Sequence, residues 1–245
     1  YNFVMKRNIM MIVEYSATNF FGWQKQTGKR TVQGELEEKI SKMLNASCKV
    51  EGCGRTDRGV HAKNYVATVV IERNIPLTNF KNALNKLLSD DVVVKKVKEV
   101  PLDFHPRFSA KRKTYEYIVD VSKTRSAINH NLVTHWTEQV DMERMVKAGQ
   151  ILVGEHNFKA FCSSHTNVTD FNRTIYEISV KKVGKFIKFE ITGNGFLYNM
   201  VRIIVGTLLQ IDKVKEENIV KALKSGDRSL LGKTMPPNGL YLKKV

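Results

Sequence analysis

The residues best suited to do chemistry lie in one glycine-rich segment, GCGRTDRGVHA, over residues 52–62. It places Asp57 between Arg55 and Arg58. Guanidinium groups nearby favour the ionised form of a carboxyl group and lower its pKa, so this aspartate suits a nucleophile or an ion-pair partner better than a general acid. The planar fork of an arginine also matches the oxygens of a phosphate. The segment is therefore a candidate catalytic loop for a substrate that carries phosphates.

Two simpler interpretations of this segment stay open on the residues alone. A glycine-rich loop can cradle a nucleotide, but neither the G-x-x-x-x-G-K-[ST] pattern nor the G-x-G-x-x-G pattern is present. An aspartate in a loop between two strands is also a common turn former, and the local pattern by itself favours that interpretation. A catalytic role therefore needs support from elsewhere in the chain.

Arg202 is a second candidate, because it is the only charged residue between Ile191 and Ile211. The apolar residues around it predict a largely buried helix over residues 197–210. A buried arginine needs a partner, since burying an unpaired charge costs free energy. The alternative is that its long side chain reaches the surface.

Tyr115 lies in the segment KTYEYIVDV, residues 113–121, which predicts a strand. The alternation of side chains along a strand places Tyr115, Tyr117 and Val119 on the same face. On this pattern alone, both tyrosines are interpreted as core residues.

The charge of the chain indicates its class of partner. The formal net charge is +16 and the isoelectric point is about 9.7, which favours a polyanion, with nucleic acid as the leading candidate. A solvated, lysine-rich surface is the alternative.

The composition also argues against several kinds of site. The three cysteines, Cys48, Cys53 and Cys162, form no C-x-x-C pair, which argues against a disulfide framework and a zinc site, so no metal is predicted. No apolar run approaches the roughly 18–20 residues that span a bilayer, and the opening segment does not resemble a signal peptide. We therefore expect a cytoplasmic protein without a membrane partner.

The first half of the chain alternates strands and helices. The predicted order is strand, helix, strand, strand, helix, strand, with strands over residues 8–15, 48–53, 65–72 and 92–99. Thr31 is predicted to cap the first helix, whose apolar face comprises Val32, Leu36, Ile40, Met43 and Leu44. The second helix is predicted over residues 78–88, beginning at Thr78 after Pro76. This β-α-β-β-α-β order indicates a ferredoxin-like unit.

The second half repeats this order. It contains the strand that carries Tyr115, a helix over residues 141–154 closed by Gly154, a hairpin around Gly184, the apolar helix, a short helix over residues 215–226, and a last strand, GLYLKKV. Prolines and basic residues mark a boundary near residues 101–112. We predict an α+β fold of two ferredoxin-like lobes, residues 1–104 and 105–245. Their antiparallel sheets would lie side by side with helices on one face and an active-site cleft between the lobes.

The glycine-rich segment resembles the central motif of the TruA family of tRNA pseudouridine synthases. The similarity extends over nearly the whole chain, in the family's order, through FFGWQKQ, TVQGELE, DFHPRFSAKRKTYEYIV, GEHNFKAFC, GNGFLYNMVRIIVGTL and PPNGLYL. Six such blocks in sequence are far more specific than one motif. The resemblance implies an enzyme that converts uridine to pseudouridine in the anticodon stem-loop of tRNA, without a cofactor.

The resemblance also assigns roles to the candidate residues. It makes Asp57 the nucleophile, attacking either C1′ of the sugar or C6 of the base, and it makes Arg202 the partner that keeps Asp57 ionised. Tyr115 would stack on the extruded base and assist proton removal at C5. Arg55 and Arg58 would contact phosphates or help to extrude the base.

Two further residues near this segment are interpreted as structural. His61 is expected to pack or to orient the loop, and Trp23 to lie in the core or to anchor the loop. The family forms homodimers, so a homodimer bound to tRNA, and not to DNA, is expected. The alternatives are the same chemistry on another RNA, such as ribosomal RNA, and an RNA-binding module without catalysis. Such a module would expose aromatic residues on its sheet and would not depend on Asp57.

Overall fold

The computed structural model describes residues 5–164 and 168–245, so the first four residues of the opening segment lie outside the described part. The fold is α+β, which confirms the predicted class. The chain divides into two compact units. The first unit extends to Lys111 and also includes Tyr241–Val245, and the second unit comprises Arg112–Leu240. In the described part of the chain, no helix is both long enough and apolar enough to cross a membrane.

The first unit has the predicted order of elements. They are β1 (Arg7–Tyr15), α1 (Val32–Leu44), β2 (Val50–Gly52), β3 (His61–Ile71), α2 (Leu77–Leu87) and β4 (Val92–Val100), with a 3-10 turn at Ala17–Asn19 between β1 and α1. β3 begins four residues earlier than the sequence predicted. The loop that carries Asp57 is therefore short, residues 53–60.

The sheet of the first unit is built around β1 and β3. β1 pairs antiparallel with β4 on one side and with β3 on the other, with Met11 opposite Ala67 in the latter pair. β2 pairs antiparallel with the far end of β3, where Gly52 lies opposite Ala67. The Asp57 loop thus leaves the sheet at the end of β2 and re-enters it at the start of β3.

Helix α1 fixes the position of β2. Thr31 caps the helix by accepting a hydrogen bond at Oγ1 from the backbone N–H of Gly34, as predicted. Gln33 and Glu37 are also buried, although no role was predicted for them. Gln33 donates to the carbonyl oxygen of Val50 at 2.8 Å, and Glu37 accepts from the Val50 N–H at 3.1 Å. Two polar side chains of the helix therefore pair with the first residue of β2.

All but the first residue of the final strand belongs to the first unit. β10 (Leu240–Lys244) runs parallel to β3, with Tyr241 opposite His61. The sequence pattern assigned this strand, and residues 105–111, to the second lobe. Two long-range contacts explain the difference in this unit: the pairing of β10 with β3, and the side-chain amide of Asn8, which donates to the carbonyl oxygens of Pro101 and Phe104 at 3.0 and 3.1 Å.

The second unit has a longer set of elements than predicted. They are β5 (Lys113–Asp120), β6 (Thr134–His135), α3 (Met142–Ile151), β7 (Gly154–Asn157), β8 (Asn172–Val183), β9 (Phe186–Gly193), α4 (Met200–Leu209), α5 (Ile211–Val214) and α6 (Glu216–Ser225). β5, β9, β8 and β7 pair antiparallel in that order, and β6 pairs parallel with β5. The short elements β6, β7 and α5 were not predicted.

Two predicted helix limits in this unit are wrong. α3 ends at Ile151, and Gly154 begins β7 instead of closing the helix. The apolar helix begins at Met200, three residues late, because Asn199 has a left-handed backbone with φ of 61°. The hairpin around Gly184 and the helix that ends before Gly226 are confirmed.

Candidate active site

The Asp57 loop rests on a cluster of three buried aromatic residues, Tyr15, Trp23 and Tyr65. The indole of Trp23 stacks on the ring of Tyr65 with 3.9 Å between ring centroids. The hydroxyl of Tyr65 donates to the carbonyl oxygen of Gly54 at 2.5 Å, and the hydroxyl of Tyr15 bonds to Oγ1 of Thr56 at 2.8 Å. Trp23 is thus core, as predicted. Two buried phenols hold the residues just before Asp57.

The segment Phe21–Gly22–Trp23 packs against the same loop. The backbone N–H of Trp23 donates to the carbonyl oxygen of Thr56 at 3.1 Å. Gly22 has a φ of 87°, and a Cβ atom there would lie 2.7 Å from the same carbonyl oxygen. Only glycine combines this backbone conformation with such a close approach. Sequence reasoning missed Gly22, and the only local sign of it was its place in FFGWQKQ.

Asp57 itself is half-buried, while Arg55 and Arg58 are exposed on the same loop. The backbone turns after Asp57, where the N–H of Val60 donates to its carbonyl oxygen at 3.1 Å. The guanidinium carbon of Arg58 lies 4.5 Å from the centroid of the Phe21 ring. The loop therefore carries one carboxylate and two exposed cations on an anchored backbone.

His61 is a packed residue at the start of β3. It is 1% exposed, and its Nδ1 accepts a hydrogen bond of 3.0 Å from the backbone N–H of Ala17. Its ring stacks on Tyr241 with 4.8 Å between ring centroids. Because Nδ1 is an acceptor, the neutral ring carries its proton on Nε2. This burial supports the interpretation that His61 orients the loop.

The two tyrosines of β5 have different surroundings. Tyr117 is fully buried, and its hydroxyl bonds to Oγ1 of Thr134 at 2.6 Å and donates to the carbonyl oxygen of Pro236 at 2.7 Å. Burial raises the pKa of the Tyr117 phenol, so it stays neutral. Tyr115 is half-buried, and Phe196 meets its ring edge-on at 5.2 Å between centroids. Tyr117 is therefore the core residue, as predicted.

Arg202 is half-buried on α4, and its guanidinium has partners in its own unit. Nε donates to the carbonyl oxygen of Met235 at 2.5 Å, and Nη1 donates to Oδ1 of Asn199 at 2.6 Å. Asn199 is held in turn, because its Nδ2 donates to Oγ of Ser163 at 2.9 Å. Both acceptors are neutral, so these two hydrogen bonds orient the guanidinium without neutralising its positive charge. The predicted pairing with Asp57 joins the two units and stays a prediction.

The backbone just before Met235 packs directly against α4 at Gly206. A Cβ atom on Gly206 would collide with the carbonyl oxygen of Lys233, so glycine lets this segment lie directly on the helix. The backbone N–H of Met235 also donates to the carbonyl oxygen of Arg202 at 3.2 Å. In residues 5–164 and 168–245, no group of three or more His, Cys, Asp or Glu side chains is placed to hold a metal ion.

Comparison with known proteins gives consistent results. The sequence profile of a family described as tRNA pseudouridine synthase matches residues 11–109 and 148–245. The chain is 42% identical over 241 residues to tRNA pseudouridine synthase A of Caldicellulosiruptor bescii, covering 98% of this chain and 99% of that protein. It is 44% identical, at the same coverage, to tRNA pseudouridine synthase A of Caldicellulosiruptor saccharolyticus and to tRNA pseudouridine synthase A 2 of Clostridium perfringens.

Proposed function

We propose a substrate and a set of catalytic residues for this chain, which belongs to the tRNA pseudouridine synthase family. As a member of that family, it is an enzyme that converts uridine to pseudouridine. Its proposed substrate is the anticodon stem-loop of tRNA, and its proposed nucleophile is Asp57. The observation that carries the second proposal is the anchoring of the Asp57 loop by buried tyrosine hydroxyls.

The isomerisation demands a fixed, ionised carboxylate. The bond between N1 of uracil and C1′ of the ribose breaks, the base rotates, and C5 bonds to C1′ while the proton of C5 is lost and N1 gains one. Asp57 attacks C1′ or C6, and either attack requires the carboxylate to be held at the reacting carbon. The hydrogen bonds to Gly54 and Thr56 restrain the loop just before Asp57, as such preorganisation requires.

Arg202 is the proposed partner of Asp57. Its guanidinium is oriented by neutral acceptors, the carbonyl oxygen of Met235 and Oδ1 of Asn199. A charge held in this way favours the ionised form of a neighbouring carboxyl group. The pairing would keep Asp57 negative through the pH range in which tRNA is modified.

Tyr115 is the proposed contact for the extruded base. Its half-buried ring leaves part of its surface accessible for stacking, whereas Tyr117 is fully buried. A stacked tyrosine is also close to C5, where a proton must be removed. Arg55 and Arg58 are proposed to bind phosphates next to the target, in keeping with their exposure and the net charge of +16.

Several broader features are proposed on the same grounds. The strand order β4, β1, β3, β2 of the first unit, with its β-α-β-β-α-β sequence of elements, supports a ferredoxin-like lobe. We propose two such lobes that correspond to the two compact units, the first carrying Asp57 as the nucleophile and the second carrying Tyr115 and Arg202. A homodimer that binds tRNA in the cytoplasm is proposed from the family.

The test is incubation of the protein with unmodified tRNA and ribosomal RNA transcripts, followed by site-resolved detection of pseudouridine. We expect conversion in the tRNA anticodon stem-loop. Asp57→Asn should lower the rate by at least about a thousand-fold and leave the affinity for tRNA within about three-fold. Conversion of ribosomal RNA alone would contradict the substrate, and undiminished activity of Asp57→Asn would contradict the nucleophile.

A further inference from the structure

Phe21 brings two cations together beside the Asp57 loop. Its ring is 37% exposed. The guanidinium carbon of Arg58 lies 4.5 Å from the ring centroid, and Nζ of Lys29 lies 4.6 Å from it. Both distances are within the range at which a cation is attracted to an aromatic face.

The backbone of Phe21 is fixed on both sides. Its N–H donates to the carbonyl oxygen of Arg30 at 2.8 Å, and its carbonyl oxygen accepts from Nε2 of Gln26 at 3.2 Å. The next residue, Gly22, lies against Thr56 and Asp57. The ring is therefore attached to a segment whose backbone packs directly against the Asp57 loop.

The preceding residue shows what a structural pair of this kind looks like. Arg30 lies over the ring of Phe20 at 4.1 Å, but Phe20 is buried and the guanidinium forms ion pairs with Glu35 at 3.0 Å and Asp91 at 2.7 Å. Those carboxylates neutralise Arg30. Arg58 and Lys29 are exposed and lie over an exposed ring, so their charges face solvent.

We propose that Phe21 is a positioning residue that holds Arg58 and Lys29 ready for the phosphates on either side of the target uridine. Long cationic side chains lose rotamer freedom when they grip a phosphate. A ring that restrains them beforehand lowers this loss, and RNA binds more tightly. This inference rests on the proposed function, because it assigns the phosphates to RNA that enters at Asp57.

The experiment compares Phe21→Leu and Phe21→Tyr with the wild-type protein on an unmodified tRNA transcript. Leucine keeps the apolar contact but has no aromatic face, so we expect KM and the dissociation constant for tRNA to rise about five-fold, with kcat within about two-fold. Tyrosine retains the face and should restore both values. The matched control is Phe186→Leu. This substitution removes another cation–ring pair, in which Nζ of Lys185 lies 5.2 Å from the centroid of the Phe186 ring. Phe186 is the first residue of β9, opposite Asp120.

A double-mutant cycle separates positioning from a general structural role. If Phe21 acts through Arg58, then Phe21→Leu should weaken tRNA binding by no more than about two-fold in an Arg58→Ala background. An equal penalty in both backgrounds, an unchanged dissociation constant for Phe21→Leu, or failure of tyrosine to restore binding would overturn the inference. The dissociation constants test it even if no pseudouridine forms, an outcome that would count against the proposed function alone.

Discussion

Hydrogen bonds position the surroundings of the proposed catalytic residue in the first unit, and the side chain of the proposed residue itself in the second unit. Around Asp57, the hydroxyls of Tyr15 and Tyr65 bind Thr56 and Gly54. Around Arg202, the carbonyl oxygen of Met235 and Oδ1 of Asn199 bind the guanidinium itself.

The roles proposed for Asp57 and Arg202 account for these two arrangements. A nucleophile forms a bond, so a scaffold serves it best by fixing the backbone from which the carboxylate extends. A cation that acts through its field can be gripped by neutral acceptors without loss of charge. Mutations in these two arrangements are expected to lower kcat by about ten-fold to a thousand-fold, and a mutation outside both should leave kcat unchanged.

Removing the guanidinium should have the largest effect. We expect Arg202→Met to lower kcat on tRNA by about a thousand-fold, because the proposed partner of Asp57 is lost. Unfolding free energy should fall by about 1–3 kcal/mol, since the acceptors on Met235 and Asn199 lose their donor. Arg202→Lys keeps the charge but not the fork, and should retain more activity. A kcat within ten-fold of wild type for Arg202→Met would contradict the role of this charge.

Displacing the loop without touching a catalytic group should have the next largest effect. In Gly22→Ala the new Cβ atom meets the carbonyl oxygen of Thr56, so we expect kcat to fall by about a hundred-fold as Asp57 shifts. Affinity for tRNA should change little, and steady-state kinetics with a binding assay would measure both.

Gly28→Ala is the matched control for that variant. Gly28 has a similar φ of 70°, but its Cβ atom would meet nothing within 4 Å. Both substitutions carry the backbone strain of a left-handed alanine, which costs about 1–2 kcal/mol, so only the collision differs. Equal losses of kcat in the two variants would contradict the proposed clamp on the Asp57 loop.

Loosening one anchor should have a smaller effect. Tyr65→Phe removes the hydroxyl that donates to Gly54 and keeps the stack on Trp23. We expect unfolding free energy to fall by about 1 kcal/mol and kcat by about ten-fold, measured by denaturant titration and by initial rates. A loss of stability with an unchanged kcat would show that this anchor does not serve catalysis.

A change in the ion pairs of the second unit should spare activity altogether. Hydrogen bonds from Arg144 lower the pKa of Glu216 from 4.5 to about 2. A carboxyl group with a lowered folded pKa stabilises the fold above about pH 4.5, and this stabilisation is lost as the pH falls towards 2. Glu216→Gln should therefore lower Tm slightly at pH 7, converge with wild type near pH 2, and leave kcat unchanged. A Tm difference that is independent of pH would contradict this account.

Sequence patterns predicted the elements whose signals are local. Thr31 caps α1 as expected, because the capping residue and the apolar face lie within one segment. Gly154 was assigned wrongly, because a glycine after an apolar helix can equally begin a strand, as it does in β7. Local pattern does not distinguish these two uses of glycine.

The features that sequence patterns missed depend on distant partners. Gln33 and Glu37 are buried because they pair with Val50, and Gly22 is required because Thr56 lies against it. The loop carrying Asp57, Arg55 and Arg58 was identified from the sequence, but its support by Tyr15 and Tyr65 was not. Such contacts are set by the sheet register, which a single sequence does not display.

Because β10 pairs parallel with β3, the first unit is completed by residues that lie after the second unit in the sequence. The side-chain amide of Asn64 donates to the carbonyl oxygen of Lys243, a contact across 179 residues, and Tyr241 covers His61. Contacts that span such a distance form late, because the intervening chain must first be made and folded. A ribosome that stalls before Tyr241 would release a protein in which β3, the strand that follows the Asp57 loop, lacks its parallel neighbour β10. The support that β10 gives to β3, directly after the Asp57 loop, is therefore complete only once residues 241–244 have been synthesised.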